Sequence, residues 1–189
     1  MVRVARRLAL VIAVFSVSCS EPPNKEMNLA QGAIEAARAA GAERFAAAEL
    51  TAAVDALKRS NEAAAGDDYR QALSHALDSF ERAQNAAKLA VEGRANARGE
   101  AERTVAQVAT LLATAETRLQ TSPLPARNLK PLQEAVATAG MALQKARAAL
   151  ATEDYLAVGP ALEGVAANVQ AALTQIDAGP PAAPARRKR

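Results

Sequence analysis

Apolar residues recur along most of the chain at alternating steps of three and four, the spacing that puts side chains on one face of a helix packed against another. Met27, Ala30, Ile34 and Ala37 open the pattern, and Gly41 follows as a C-cap. Leu50, Val54, Leu57 and Asn61 continue it as far as Gly66. Asp67 and Asp68 then offer N-caps, with Gln71 at capping-box distance from Asp68. The third seam is Tyr69, Leu73, Ala76, Phe80, Ala83, Ala87 and Ala90, resumed by Ala101, Val105, Val108, Leu112, Ala115 and Leu119. No proline stands between Pro23 and Pro123, so one helix is predicted from this point to about Gln120. Gly93 and Gly99 weaken it by about 1 kcal/mol each without forcing a break. At the usual rise per residue such a helix is on the order of 80 Å long.

Ser122-Pro123-Leu124-Pro125 makes the next stop, because residues before proline avoid the helical region. The fourth helix carries the cleanest seam, Leu129, Leu132, Val136, Ala139, Leu143, Ala146 and Leu150. Thr152, Glu153 and Asp154 punctuate. The fifth helix then runs through Tyr155, Val158, Leu162, Val165, Val169, Ala172 and Ile176, with a bend expected at Gly159-Pro160. The fold class is all-α: elongated antiparallel helical hairpins in a coiled-coil-like bundle. With 51 alanines against three Phe, two Tyr and no Trp, helix propensity is high, but each turn contributes little apolar area, so length must supply what side-chain volume does not.

Two punctuation points look alike, Gly66-Asp67-Asp68-Tyr69 and Thr152-Glu153-Asp154-Tyr155. Upstream of them, the stretch from Phe45 to Leu50 matches the stretch from Leu124 to Leu129, and the second spacing is longer by one heptad, an insertion that leaves a seam unrotated. A tandem pair of helical units joined through the long helix is the reading, over residues 26–98 and 99–178.

Charge and address change the picture at both ends. Arg3, Arg6 and Arg7 precede the apolar run beginning at Leu8, which is too short for a spanning helix and ends in Ser16-Val17-Ser18-Cys19. That ending resembles a bacterial lipobox, although Ser16 stands where the usual pattern has Leu. The resemblance makes residues 1–18 a lipoprotein signal peptide, Cys19 the lipidated mature N-terminus and residues 19–25 a tether. Asp does not follow the cysteine, and by the same resemblance Ser20 favours the outer membrane, facing the periplasm. The signal carries three of the 23 basic residues and none of the 20 acidic ones, so the mature chain is balanced at 20 against 20. No stripe that could track nucleic-acid phosphates remains. Residues 179–189 read as a disordered Pro/Ala-rich tail ending in Arg186, Arg187, Lys188 and Arg189, a possible contact for peptidoglycan or anionic headgroups.

The stretch Ala39-Ala40-Gly41-Ala42-Glu43-Arg44-Phe45-Ala46-Ala47-Ala48-Glu49-Leu50, followed by Gly66-Asp67-Asp68-Tyr69, resembles an uncharacterised family of alanine-rich bacterial envelope lipoproteins and periplasmic proteins. The family pattern is A-G-A-x-x-Y-A-P-x-E-L, then a helix, then G-D-Y; here Phe45 stands for its tyrosine and Ala47 for its proline. The likeness covers roughly residues 28–92. It implies helical hairpins and an envelope location, and it implies no activity.

Chemistry-bearing residues are sparse. Cys19 is the only thiol, so an exported chain has no disulfide framework. His75 is the only histidine and lies off the seam, a solvated surface residue; a zinc cluster or a His-dependent triad is excluded by count. Asp67-Asp68 and Glu153-Asp154 read as helix caps, and Tyr69 and Tyr155 as hairpin-closing core residues. Neither a glycine-rich phosphate loop nor a nucleophile elbow occurs. The expectation is therefore a non-enzymatic envelope lipoprotein without cofactor or metal, held to the membrane by its N-terminal lipid and serving as a spacer, scaffold or adaptor for an envelope protein partner.

Overall fold

The computed structural model of the protein describes residues 21–178, which are helical with no strand among them. In chain order the helices are α1 (Asn24–Ala39), α2 (Ala42–Phe45), α3 (Ala47–Ala65), α4 (Tyr69–Thr121), α5 (Ala126–Ala151), α6 (Tyr155–Leu162) and α7 (Val165–Asp177). The chain divides after Gly93 into two compact units. α4 runs unbroken through that boundary and through Gly99, as the absence of proline predicts.

In the first unit α1, α3 and the start of α4 surround one core. Ala30, Ile34 and Ala37 meet Leu50, Ala53 and Leu57 and, from α4, Ala83, Ala86 and Ala90. α1 begins two residues before the expected Glu26. Pro23 caps it, because the N–H that proline lacks has no partner in a first turn. Gly41 takes φ 90, the left-handed conformation that closes α1, and one turn of helix, α2, follows.

The centre of the α3–α4 contact differs from the expected seam. It lies on Ala53, Ala56 and Ser60 of α3 and on Ala72, Ala76, Ser79, Ala83, Ala86 and Ala90 of α4. Leu73 is 38% exposed, Tyr69 and Phe80 are half-buried, and Asn61 lies on the exposed side. The smallest side chains hold the centre because they let two helices approach closely, and the bulkier ones flank it. Both buried serines bond across the interface. Ser60 Oγ donates to the carbonyl of Ala72 at 2.7 Å, and Ser79 Oγ donates to that of Ala53 at 2.8 Å. Each hydroxyl is thereby satisfied without water.

The second unit packs the end of α4 with α5, α6 and α7. Its core is Val105, Val108, Leu112, Val136, Leu143, Tyr155, Val158, Leu162 and Val169 with small residues between, as the seams of α4 and α5 predict. α6 continues as helix through Gly159-Pro160. Pro160 is exposed within α6, where water can serve the carbonyl that its nitrogen cannot. The chain breaks instead at Glu163, which has ψ 127, and at Gly164, which takes φ 71.

The two punctuation points share one geometry. Gly66 lies at φ −92, ψ 12 and Thr152 at φ −92, ψ 11; the next residues, Asp67 and Glu153, both take φ 58. The Asp68 N–H reaches the carbonyl of Ala63 at 2.9 Å and that of Asp154 reaches Ala149 at 2.9 Å, and inside these loops the Asp67 N–H reaches Ala64 and the Glu153 N–H reaches Leu150, each at 3.1 Å. This is the Schellman arrangement, with a non-glycine residue in the left-handed position. The helices that precede the turns, α3 with 19 residues and α5 with 26, differ by one heptad.

Candidate functional site

Cys19 and the basic residues Arg186, Arg187, Lys188 and Arg189 lie outside the described residues. Among the residues described, no group of three His, Cys, Asp or Glu side chains could hold a metal ion. His75, expected on the solvated surface, is half-buried on α4.

The carboxylates at the turns have distinct local tasks. Asp68 Oδ1 accepts the N–H of Gln71 at 3.0 Å and caps α4. Asp67 Oδ1 accepts the Tyr69 hydroxyl at 2.8 Å, and that hydrogen bond is the main cause holding the phenol above its ordinary pKa. Tyr69 therefore belongs to the turn and not to the core, whereas Tyr155 is buried as expected. α6 starts after Asp154 without a side-chain cap. Glu153 instead pairs with Arg94 on α4, and Asp177 at the end of α7 pairs with Arg118 on α4 at 2.7 Å. In the first unit Asp78 and Arg82 pair at 2.8 Å on α4, and from α3 Arg59 meets Asp78 at 3.7 Å while Glu49 meets Arg82 at 3.6 Å. The pairs from Arg94, Arg118, Arg59 and Glu49 tie helices together at the surface.

One glycine has a packing task that periodicity could not reveal. A Cβ built on Gly93 would stand 3.1 Å from Phe45 Cβ and 3.3 Å from the Phe45 carbonyl oxygen, closer than ordinary contact, so a side chain there would require the junction of α2 and α3 to give by a few tenths of an ångström. The Arg44 guanidinium lies 5.7 Å from the Phe45 ring centroid. This places the motif that carries the family resemblance at a backbone-to-backbone crossing.

A groove of about 380 Å³ lies in the second unit, between α5 and α7. Leu132, Ala139 and Ala172 form its floor, and Pro131, Ala135, Thr138, Asn168, Ala171 and Gln175 line its sides; no lining residue is charged. Pro131 lies within α5, a feature the seam did not disclose. The stretch Tyr155–Asp177 is long and apolar enough to cross a membrane by length and composition alone. Its Tyr155, Val158, Leu162, Val169, Ala172 and Ile176 are buried in the bundle, Leu156 is exposed, and Gly164 interrupts the stretch. No family model, curated protein or solved structure matches this chain.

Proposed function

We propose that the protein is a non-enzymatic lipoprotein of the cell envelope, whose helical body serves as a spacer, scaffold or adaptor for protein partners in the periplasm. The observation that carries this reading is the N-terminal sequence: Arg3, Arg6 and Arg7, a short apolar run from Leu8, and Ser16-Val17-Ser18-Cys19. Diacylglycerol on the Cys19 thiol, with an acyl chain on the new amino terminus, gives the several chains that stable anchoring requires. Asn24, where α1 begins, would then follow the anchor by a few residues, and the paired helices would project from the outer membrane into the periplasm. Packed helices joined by surface ion pairs suit a role in holding partners at a distance.

The test is metabolic labelling with a palmitate analogue. Wild-type protein should incorporate label and partition with membranes, and Cys19→Ser should do neither. Equal labelling of both, or a soluble wild type, defeats the reading.

The four consecutive basic residues at the C-terminus support a second reading, contact with peptidoglycan or anionic headgroups. Without them the mature chain holds 16 basic against 20 acidic residues, so affinity for an anionic surface would reside in the tail and fade as salt rises. Co-sedimentation with anionic vesicles, comparing the full chain with a variant carrying Gln at all four positions, separates the two readings.

A further inference from the structure

The wall of the groove that α7 supplies lacks the charge an exposed helix ordinarily carries. Residues 164–176 contain no Asp, Glu, Lys or Arg, although Ala167, Asn168, Gln170, Ala171, Thr174 and Gln175 are all exposed. In the same unit α4 presents Glu102, Arg103, Glu116 and Arg118 to solvent. Charge is depleted in this way at the buried centre of a protein interface. α7 runs back along α5, with Leu132 packed among Ala172 and Ile176, so Pro131 is level with Gln175 and Ala142 with Val165. The helical rise makes the groove about 15 Å long.

Its polar groups are placed symmetrically along α7. Asn168 and Gln175 are equally far from the midpoint between Ala171 and Ala172, and among the described residues neither side-chain amide has a hydrogen-bond partner. A two-fold axis through that midpoint lays a second α7 antiparallel on the first. It brings Asn168 of each copy to Gln175 of the other, where each amide can both donate and accept. The same operation fits the α5 wall. Pro131, level with Gln175 of its own chain, falls level with Ala167 and Asn168 of the other copy; by the same step Ala135 meets Ala171 and Thr138 meets Thr174. Small side chains at each of these levels let helices approach closely.

The charges around the groove agree with this pairing. Glu163, exposed two residues before Val165, shares its end of the groove with Lys145, three residues beyond Ala142. In the pair it also falls within about one helical turn of Arg127 and Lys130 on the other copy's α5, both exposed, so it lies between two basic groups. Glu134 falls level with the uncharged Gln170, and Lys145 falls past the end of the other copy's α7. Asp177 is already paired with Arg118 at 2.7 Å.

We propose that the α5–α7 groove is a homodimer interface, and that its occupant is α7 of a second copy of this chain, antiparallel about a two-fold axis between Ala171 and Ala172. Each α7 fills the other copy's groove, and four helices close around alanines and two Asn168–Gln175 pairs. The interface uses the second unit alone and depends on nothing at the N-terminus.

The test uses the full chain carrying Cys19→Ser, which removes the only native thiol and makes the result independent of lipidation. Sedimentation equilibrium in a density-matched detergent should give two chains per particle. Asn168→Cys and Gln175→Cys together should yield a disulfide-linked dimer on mild oxidation, because the two positions are about 10.5 Å apart along one helix and cannot be bridged within a copy. Either cysteine alone should crosslink at least tenfold less. Ala171→Arg places a cation at the axis on an exposed position and should weaken dimerisation at least tenfold with the helical circular dichroism unchanged, whereas Ala148→Arg, exposed on α5 outside the groove, should not. A single-chain particle at micromolar concentration, free or bound to phosphatidylcholine vesicles, would overturn the assignment. So would a dimer indifferent to Ala171→Arg, or single-cysteine variants that crosslink as well as the double one.

Discussion

Alanine at Gly93 tests whether the crossing with Phe45 is a real constraint, because two effects of comparable size oppose one another there. In a helix interior Gly→Ala is worth about 1 kcal/mol of stabilisation. Against this, the new methyl group would lie 3.1 Å from Phe45 Cβ and 3.3 Å from its carbonyl oxygen. Neither atom is the free end of a flexible side chain. Both belong to the junction of α2 and α3, where Ala46 already takes the irregular conformation φ −145, ψ 37. Overpacking of this kind costs about 1–3 kcal/mol, so Gly93→Ala should leave the protein between unchanged and about 2 kcal/mol less stable. Gly99 supplies the control on the same helix, since nothing lies within 4 Å of its Cβ position. Gly99→Ala should stabilise by about 1 kcal/mol, which sets the two variants about 1–3 kcal/mol apart. Urea unfolding followed by circular dichroism measures this, and midpoints should be compared transition by transition, since two units need not unfold as one. Equal stabilisation by the two substitutions would refute the packing argument.

A charge in the core of the second unit should be costly. Leu143→Asp buries a carboxylate among Val108, Leu112 and Val136 and should lower stability by several kcal/mol, whereas Lys145→Asp on the exposed side of the same helix should change thermal unfolding little. The Tyr69 hydroxyl donates to Asp67 only while protonated, and its folded pKa is raised. Its contribution to stability is therefore complete below the unfolded-state value near pH 10 and is lost as pH rises through the folded one. Spectrophotometric titration should show a late-titrating tyrosine that returns toward its ordinary value in Asp67→Asn; an unchanged titration would remove the contact.

How far the fold was legible depended on the size of the seam residues. In the second unit Val105, Val108, Leu112, Val136 and Leu143 are large, apolar and buried, so periodicity and structure coincide. In the first unit the contact is close, and closeness selects Ala72 and Ser79 over Leu73 and Phe80. Sequence reading follows hydrophobicity and so assigns the neighbouring face. The turns were legible because acidic residues between Ala-rich helices have few other uses, but the left-handed position fell on Asp67 and not on Gly66. The break at Glu163 and Gly164 had no counterpart in the sequence reading, which followed the stronger local signal of Gly159-Pro160. The groove had no sequence signature of its own. It arises from which faces of α5 and α7 α4 leaves uncovered, and the pattern of a single helix does not contain that.

The methyl-lined contact between α3 and α4 has a thermal consequence. Heat capacity rises on unfolding in proportion to the apolar surface newly hydrated. A contact made from Ala53, Ala56, Ala72, Ala76, Ala83, Ala86 and Ala90 hydrates less such surface than one made from leucine and valine. The first unit's free energy should therefore bend more gently with temperature than the second's. Its stability would change less between cold and warm surroundings, and it would persist further toward the freezing point before the hydrophobic driving force fades.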